Sequence, residues 1–162
     1  MLDFLKIATR SVKNGMTEIY PKFIIKKSND LMIRGGDFYA IWIEELGLWS
    51  TDEDDVVRLI DNELDIFAKE HKDNINSNIR VAYMWDAETG TIDTWHKYCQ
   101  KQLRDSFHML DEKLIFSNAV TNKKDYASKR LSYPLIEGNH DAWDKLISTL
   151  YSEDERHKIE CY

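Results

Sequence analysis

Proline and cysteine are scarce, with 2 of each in 162 residues, and there are only 6 glycines. The two cysteines, Cys99 and Cys161, lie far apart in the chain. That spacing excludes a disulfide framework and fits a reducing compartment. So little glycine and proline argues against a fibrous or loop-dominated class. No stretch approaches the roughly 18 consecutive apolar residues of a membrane span. The opening MLDFLKIATR is broken by Asp3 and Lys6 and lacks the apolar run of a signal peptide. Neither GxxxxGK(S/T) nor GxGxxG occurs, so ATP hydrolysis by this chain is not expected. These absences predict a cytoplasmic protein with no membrane partner.

What is present points to one globular domain over residues 1–162. Hydrophobic residues make up 43% and aromatics 12%, enough to build a substantial core at this length. The net charge of −7 disfavours sequence-blind binding of nucleic acid over the whole surface. Its distribution is uneven. Residues 1–35 hold 7 Lys+Arg against 3 Asp+Glu, and residues 36–70 hold 2 against 11. A basic segment therefore precedes an acidic one, and a local basic face is compatible with an acidic total.

The fold class expected is α+β: a small antiparallel sheet with three to four helices packed on it. The stretch Asp30–Leu64 organises it. Leu31–Arg34 and Phe38–Ile43 read as a hairpin around Gly35-Gly36, which supplies the positive φ of a tight turn. Glu18–Lys26 adds a strand, roughly Ile19–Ile25, whose first half Pro21 demotes to an edge. Residues 1–17 carry only weak signals. Ser50-Thr51-Asp52-Glu53 reads as a capping box opening a helix to about Glu70, with Val56, Ile60, Leu64 and Phe67 on its buried face. Ile79–Trp85 is a short buried strand and Asp86–Gly90 its turn. A second helix spans about Thr91–Leu110 on the stripe Ile92, Trp95, Cys99, Leu103, Phe107, Leu110. Leu114–Phe116 reads as another strand. Asn139 caps a third helix that buries Trp143, Leu146, Ile147 and Leu150. A second capping box at Ser152–Glu155 opens a last helix, so the C-terminal half, 91–160, is largely helical.

Few residue sets suggest chemistry. His96 and Cys99 share a helix face, but a structural zinc site needs four ligands and no second pair exists, so no metal is expected. Asp52, Glu53, Asp54 and Asp55 match the acidic preference of a helix start. Asp86 and Glu88 have the spacing of a carboxylate pair for metal-dependent nucleotidyl transfer, yet turn chemistry also accounts for them. The chain is expected to be no enzyme and to carry no cofactor. The stronger signal is basic: Lys97, Lys101 and Arg104 along helix two, and Lys123, Lys124, Lys129 and Arg130 in the loop after it. These could track a phosphate backbone, with Tyr98 and Tyr126 available for base stacking.

Three strings together resemble a known family: YPKFIIKKSNDLMIRGGDFYAIWIEELGLWSTDEDDVVRLID, TWHKYCQKQLRD and KLIFSNAVTNKKDYASKRLSYPL. They are similar to the N-terminal, helicase-associated region of phage and prophage primase-helicase proteins. In those proteins, of poxvirus-type arrangement, the region precedes a superfamily III helicase motor. The matching features are a hairpin with a Trp-containing exit and an Asp-rich helix start (Trp42–Asp55), a strand leading to an Asn before a polar loop (Phe116-Ser117-Asn118), and a closing helix pair (Asp141–Tyr151 and Ser152–Glu160). The family continues into a Walker-type loop and motor, whereas this sequence ends at Tyr162, so no catalytic residue carries over. The resemblance implies a non-catalytic DNA-replication domain that positions single-stranded or forked DNA, or mediates contacts with a replication protein or between copies of itself, in a bacterial host cytoplasm. An alternative from another class is an acidic stand-alone inhibitor from a mobile element, such as an anti-CRISPR or other anti-defence protein. Its Asp52–Asp55 segment would imitate a phosphate backbone in a host nuclease. A metal-dependent nuclease or primase centred on Asp86 and Glu88 is the third reading.

Overall fold

Two three-stranded sheets and three α-helices form the computed structural model, which describes residues 2–24, 27–72, 78–102, 106–151 and 155. The α+β class is as the sequence predicts, but the strands divide differently. The weakly patterned N-terminus is a full strand, β1 (Leu5–Ser11), antiparallel to β2 (Thr17–Phe23) in a register running from Leu5 opposite Phe23 to Ser11 opposite Thr17. A 3-10 turn over Lys13–Gly15 joins them. The hairpin forms as expected, with β3 (Leu31–Arg34) antiparallel to β4 (Asp37–Ile43). Gly35 and Gly36 between them take φ of +66° and +93°, values that favour glycine. Strand β5 (Leu48–Ser50) pairs with β4 on its other side.

The expected single sheet is thus two, because β2 finds its partners elsewhere. It is the middle strand of its own sheet, with β1 on one side and β6 (Ile79–Val81) parallel on the other. The link to β3 is pinned to the N-terminus. Ser28 Oγ donates to Asp3 Oδ1 at 2.5 Å, Asn29 N donates to Asp3 Oδ2 at 2.8 Å, and Asp3 N donates to Asp30 Oδ2 at 3.0 Å.

Helix α1 (Glu53–His71) buries Val56, Ile60 and Leu64 completely. Its N-cap is Asp52, which accepts from Asp54 N at 2.9 Å, and not Ser50 as the capping-box pattern suggests. Ser50 ends β5 and reaches into the same turn, accepting from Asp52 N and donating to Asp55 Oδ2.

Helix α2 (Thr91–Lys101) is half its expected length. The apolar spacing continues past it, but Phe107 and Leu110 serve another surface. Gln102 turns extended (ψ 154°), Ile33 N then donates to Ser106 O, and Phe107 and Leu110 pack with Met32, Ala40, Trp42 and Trp49 on the outer face of the hairpin sheet. The inner face, Leu31, Ile33 and Ile41, joins the main core with Phe4, Ile19, Ile60, Leu64, Met84 and Trp95. The period-2 alternation of β3 and β4 thus feeds two cores.

Leu114–Phe116 is not a strand; Leu131 N donates to Ile115 O, Ala119 N donates to Phe116 O, and the Phe116 ring meets Tyr133 edge-on. Helix α3 (Asp141–Leu150) starts after His140, not Asn139. Of its expected buried face only Ile147 is covered. Trp143, Leu146 and Leu150 are 52–61% exposed, and α3 makes no extensive contact with another described strand or helix. The expected helix from Ser152 lies outside the described residues. No helix among the described residues is long and apolar enough to cross a membrane.

Candidate nucleic-acid interface

Hydrogen-bond parity along β2 creates the site. Thr17 N donates to Asn78 O at 3.0 Å and Ile19 O accepts from Ala82 N at 2.8 Å, so odd-numbered residues of β2 turn their polar groups towards β6. Even-numbered ones face β1; accordingly Ile24 N donates to Phe4 O. Strand β6 ends at Val81, opposite Ile19. From Tyr20 onward β2 therefore has no strand on that side, and Pro21, which has no N–H, sits where a donor would have lacked a partner. The half that proline leaves single-sided is the second, not the first.

Helix α2 lies along this open edge. Thr91, Thr94, Tyr98 and Lys101 follow one another at helical spacing, with Lys97 beside them. Together they face Tyr20, Pro21, Lys22 and Phe23 across a groove of about 310 Å³. Pro21, Ala82 and Tyr98 are buried beneath it, and Arg10 and Lys22 flank it from the sheet. Lys22, Lys97 and Lys101 are exposed, and none forms an ion pair among the described residues. Arg10 is held in place: its Nε donates to the buried Glu18 at 2.5 Å and its guanidinium lies 4.8 Å from the centre of the Tyr20 ring. Burial pushes the Tyr98 hydroxyl well above the usual tyrosine range, and that hydroxyl has no hydrogen-bond partner among the described residues.

Of the seven basic residues singled out from sequence, this groove unites Lys97 and Lys101. Lys124 and Lys129 are exposed elsewhere. Lys123 is engaged in an ion pair with Asp30, and Arg130 donates to Thr121 Oγ1 at 3.0 Å, so both brace loops. Arg104 lies outside the described residues. Sequence reasoning missed Arg10 and Lys22. Both belong to the basic N-terminal segment, but only the β1–β2 pairing, which the weak pattern of residues 1–17 concealed, puts them on the same face of the sheet.

The acidic candidates are occupied locally. Asp52 caps α1, Glu53 accepts from Trp95 Nε1 at 2.8 Å, and Asp55 accepts from Ser50 and from Arg58. Asp54 is exposed at the helix start. Asp86 accepts from Glu88 N as the cap of a 3-10 turn, and both carboxylates stand 3.8 Å from Arg80. His96 Nε2 is 3.8 Å from Glu53 Oε1. Burial, then the nearby Glu53 and Asp37 charges, pushes the Cys99 thiol up to about 12. Among the described residues no three His, Cys, Asp or Glu side chains group so as to hold a metal ion.

Comparison with protein-family models, curated proteins and solved structures yields no match to this chain.

Proposed function

We propose that this is a non-catalytic DNA-replication domain, related to the region that precedes a superfamily III helicase motor, and that it holds single-stranded or forked DNA in the groove between β2 and α2. One observation carries the reading: Lys97 and Lys101, from one end of the chain's sequence pattern, open onto the same groove as Arg10 and Lys22 from the other. Three exposed lysines without an ion pair among the described residues, with Arg10 held beside them by Glu18, over an aromatic and apolar floor suit a sequence-tolerant single-strand site. Such a protein works in the cytoplasm of a bacterial host.

Fluorescence anisotropy with a labelled oligo-dT at several salt concentrations tests this. Phosphate contacts from the three lysines predict that log K falls against log salt with a slope of about −2.1, since the Arg10 charge is already met by Glu18. Lys97→Glu with Lys101→Glu is expected to weaken binding and to make the slope shallower by about 1.4. No binding at low salt, or a double variant that binds like the wild type, overturns the proposal.

A further inference from the structure

A second cavity, of about 370 Å³, is lined by Lys27, Trp49, His108, Lys124 and Tyr126. Three of these residues form a column of rings. Trp49 is the buried base, 3% exposed, with its indole N–H donating to Lys123 O at 2.9 Å. Tyr126 stacks on it at 6.4 Å between centroids, and His108 stacks on Tyr126 at 4.2 Å with the planes 25° apart. Tyr126 holds this position with φ +47°, a left-handed conformation that a tyrosine rarely adopts and that tertiary structure must enforce. His108, at the outer end, is exposed. One of its ring faces is covered by Tyr126, so the column ends in an aromatic surface open to a further ring. Lys27 and Lys124 stand beside it, exposed and without an ion pair among the described residues.

The cavity neighbours the groove. Phe23 lines the groove and Lys27 the cavity, and four residues of chain cannot separate them by more than about 14 Å. We infer that the His108 end of this column is a base-stacking station for the strand that lies in the β2–α2 groove, with Lys27 and Lys124 receiving the adjoining phosphates. The ligand is an unpaired nucleobase of a single-stranded nucleic acid. The inference rests on the proposed function and adds a second contact point to it.

Stacking needs a base, whereas charge contacts need only phosphate. The test therefore compares an oligo-dT of roughly 12 nucleotides, within the usual site sizes of such proteins, with an abasic strand of equal length and charge. His108→Ala, at an exposed position and checked for an unchanged melting temperature, is expected to weaken oligo-dT binding roughly fivefold or more and to leave the abasic strand unaffected. Lys124→Ala is expected to weaken both. Equal losses on the two strands in His108→Ala, or no loss on either, would overturn the stacking station while the groove stands. Wild-type protein that binds neither strand would remove the groove, and this inference with it.

Discussion

Asp61 and Asp111 are two carboxylates that their surroundings push in opposite directions. Burial raises the Asp61 carboxyl above its ordinary 3.8; the hydrogen bond from Met84 N opposes this, and the Asp65 charge adds to it. At Asp111 burial also acts to raise the value, but hydrogen bonds from Ser128 and from the Lys129 amide, with the Lys129 charge, outweigh it and hold the group below 3.8. The linkage signs differ accordingly. Asp111 contributes stability above its unfolded value and loses that contribution as pH falls through the folded one. Asp61 is favourable while protonated, and its contribution is lost as pH rises from about 3.8 through its raised folded value. An asparagine at position 61 can still accept from Met84 N and cannot ionise. Asp61→Asn is therefore expected to gain stability relative to wild type as pH is raised through that window, then to level off. Asp111 is common to both proteins and cancels from the difference. Urea denaturation of the pair across the acid range measures it; a pH-independent difference would refute the assignment.

At the scale of elements, two tryptophans occupy equivalent places in amphipathic helices, yet their surroundings differ. Trp95 on α2 is fully buried against Phe4, Phe23 and Tyr98, and its indole N–H is bonded to Glu53. Trp143 on α3 is 52% exposed. Trp95→Ala is expected to cost about 3–5 kcal/mol, and Trp143→Ala no more than about 0.5 kcal/mol. Chemical denaturation of both variants decides; comparable losses would mean that α3 is packed in solution. Helical periodicity alone cannot make this distinction, because it reports which side of a helix is apolar and not whether anything covers it. The same reason explains what was legible and what was not. The Gly35-Gly36 hairpin and the buried stripe of α1 follow from local residues, and both stand. The end of α2 does not follow, since Phe107 and Leu110 keep a helical spacing while packing on the outer face of the hairpin sheet. Nor does the position of β2, whose partners lie on either side of it in the chain at β1 and β6. Half of the candidate groove was readable for that reason. Lys97 and Lys101 sit on one helix face, but Arg10 and Lys22 join them only through strand pairing.

For the whole molecule, the question is how a chain of net charge −7 attracts a polyanion. At about 0.1 M salt, charges beyond roughly 10 Å are largely screened, so a strand in the groove responds to the cations lining it more than to the total. Lys22 and Lys97 come from segments more than 70 residues apart and line the same groove, whereas Lys129 is exposed and outside it. Reversing any one of the three changes the net charge by the same amount. If the local groove governs binding, Lys22→Glu and Lys97→Glu should each weaken single-strand binding and reduce the salt slope by at least about 0.7, while Lys129→Glu leaves both nearly unchanged. If the overall field governs it, the three variants should lose affinity alike. Salt titrations of all three against one oligonucleotide separate these outcomes, and a Lys129→Glu loss equal to the other two would rule out a defined groove. Lys129 is suited as the control because its backbone N–H, which donates to Asp111, survives the replacement; its ammonium adds only a charge contribution to that carboxylate, so the melting temperature of Lys129→Glu is compared with wild type alongside. The replacement therefore alters charge at that place without removing a bond that holds the fold.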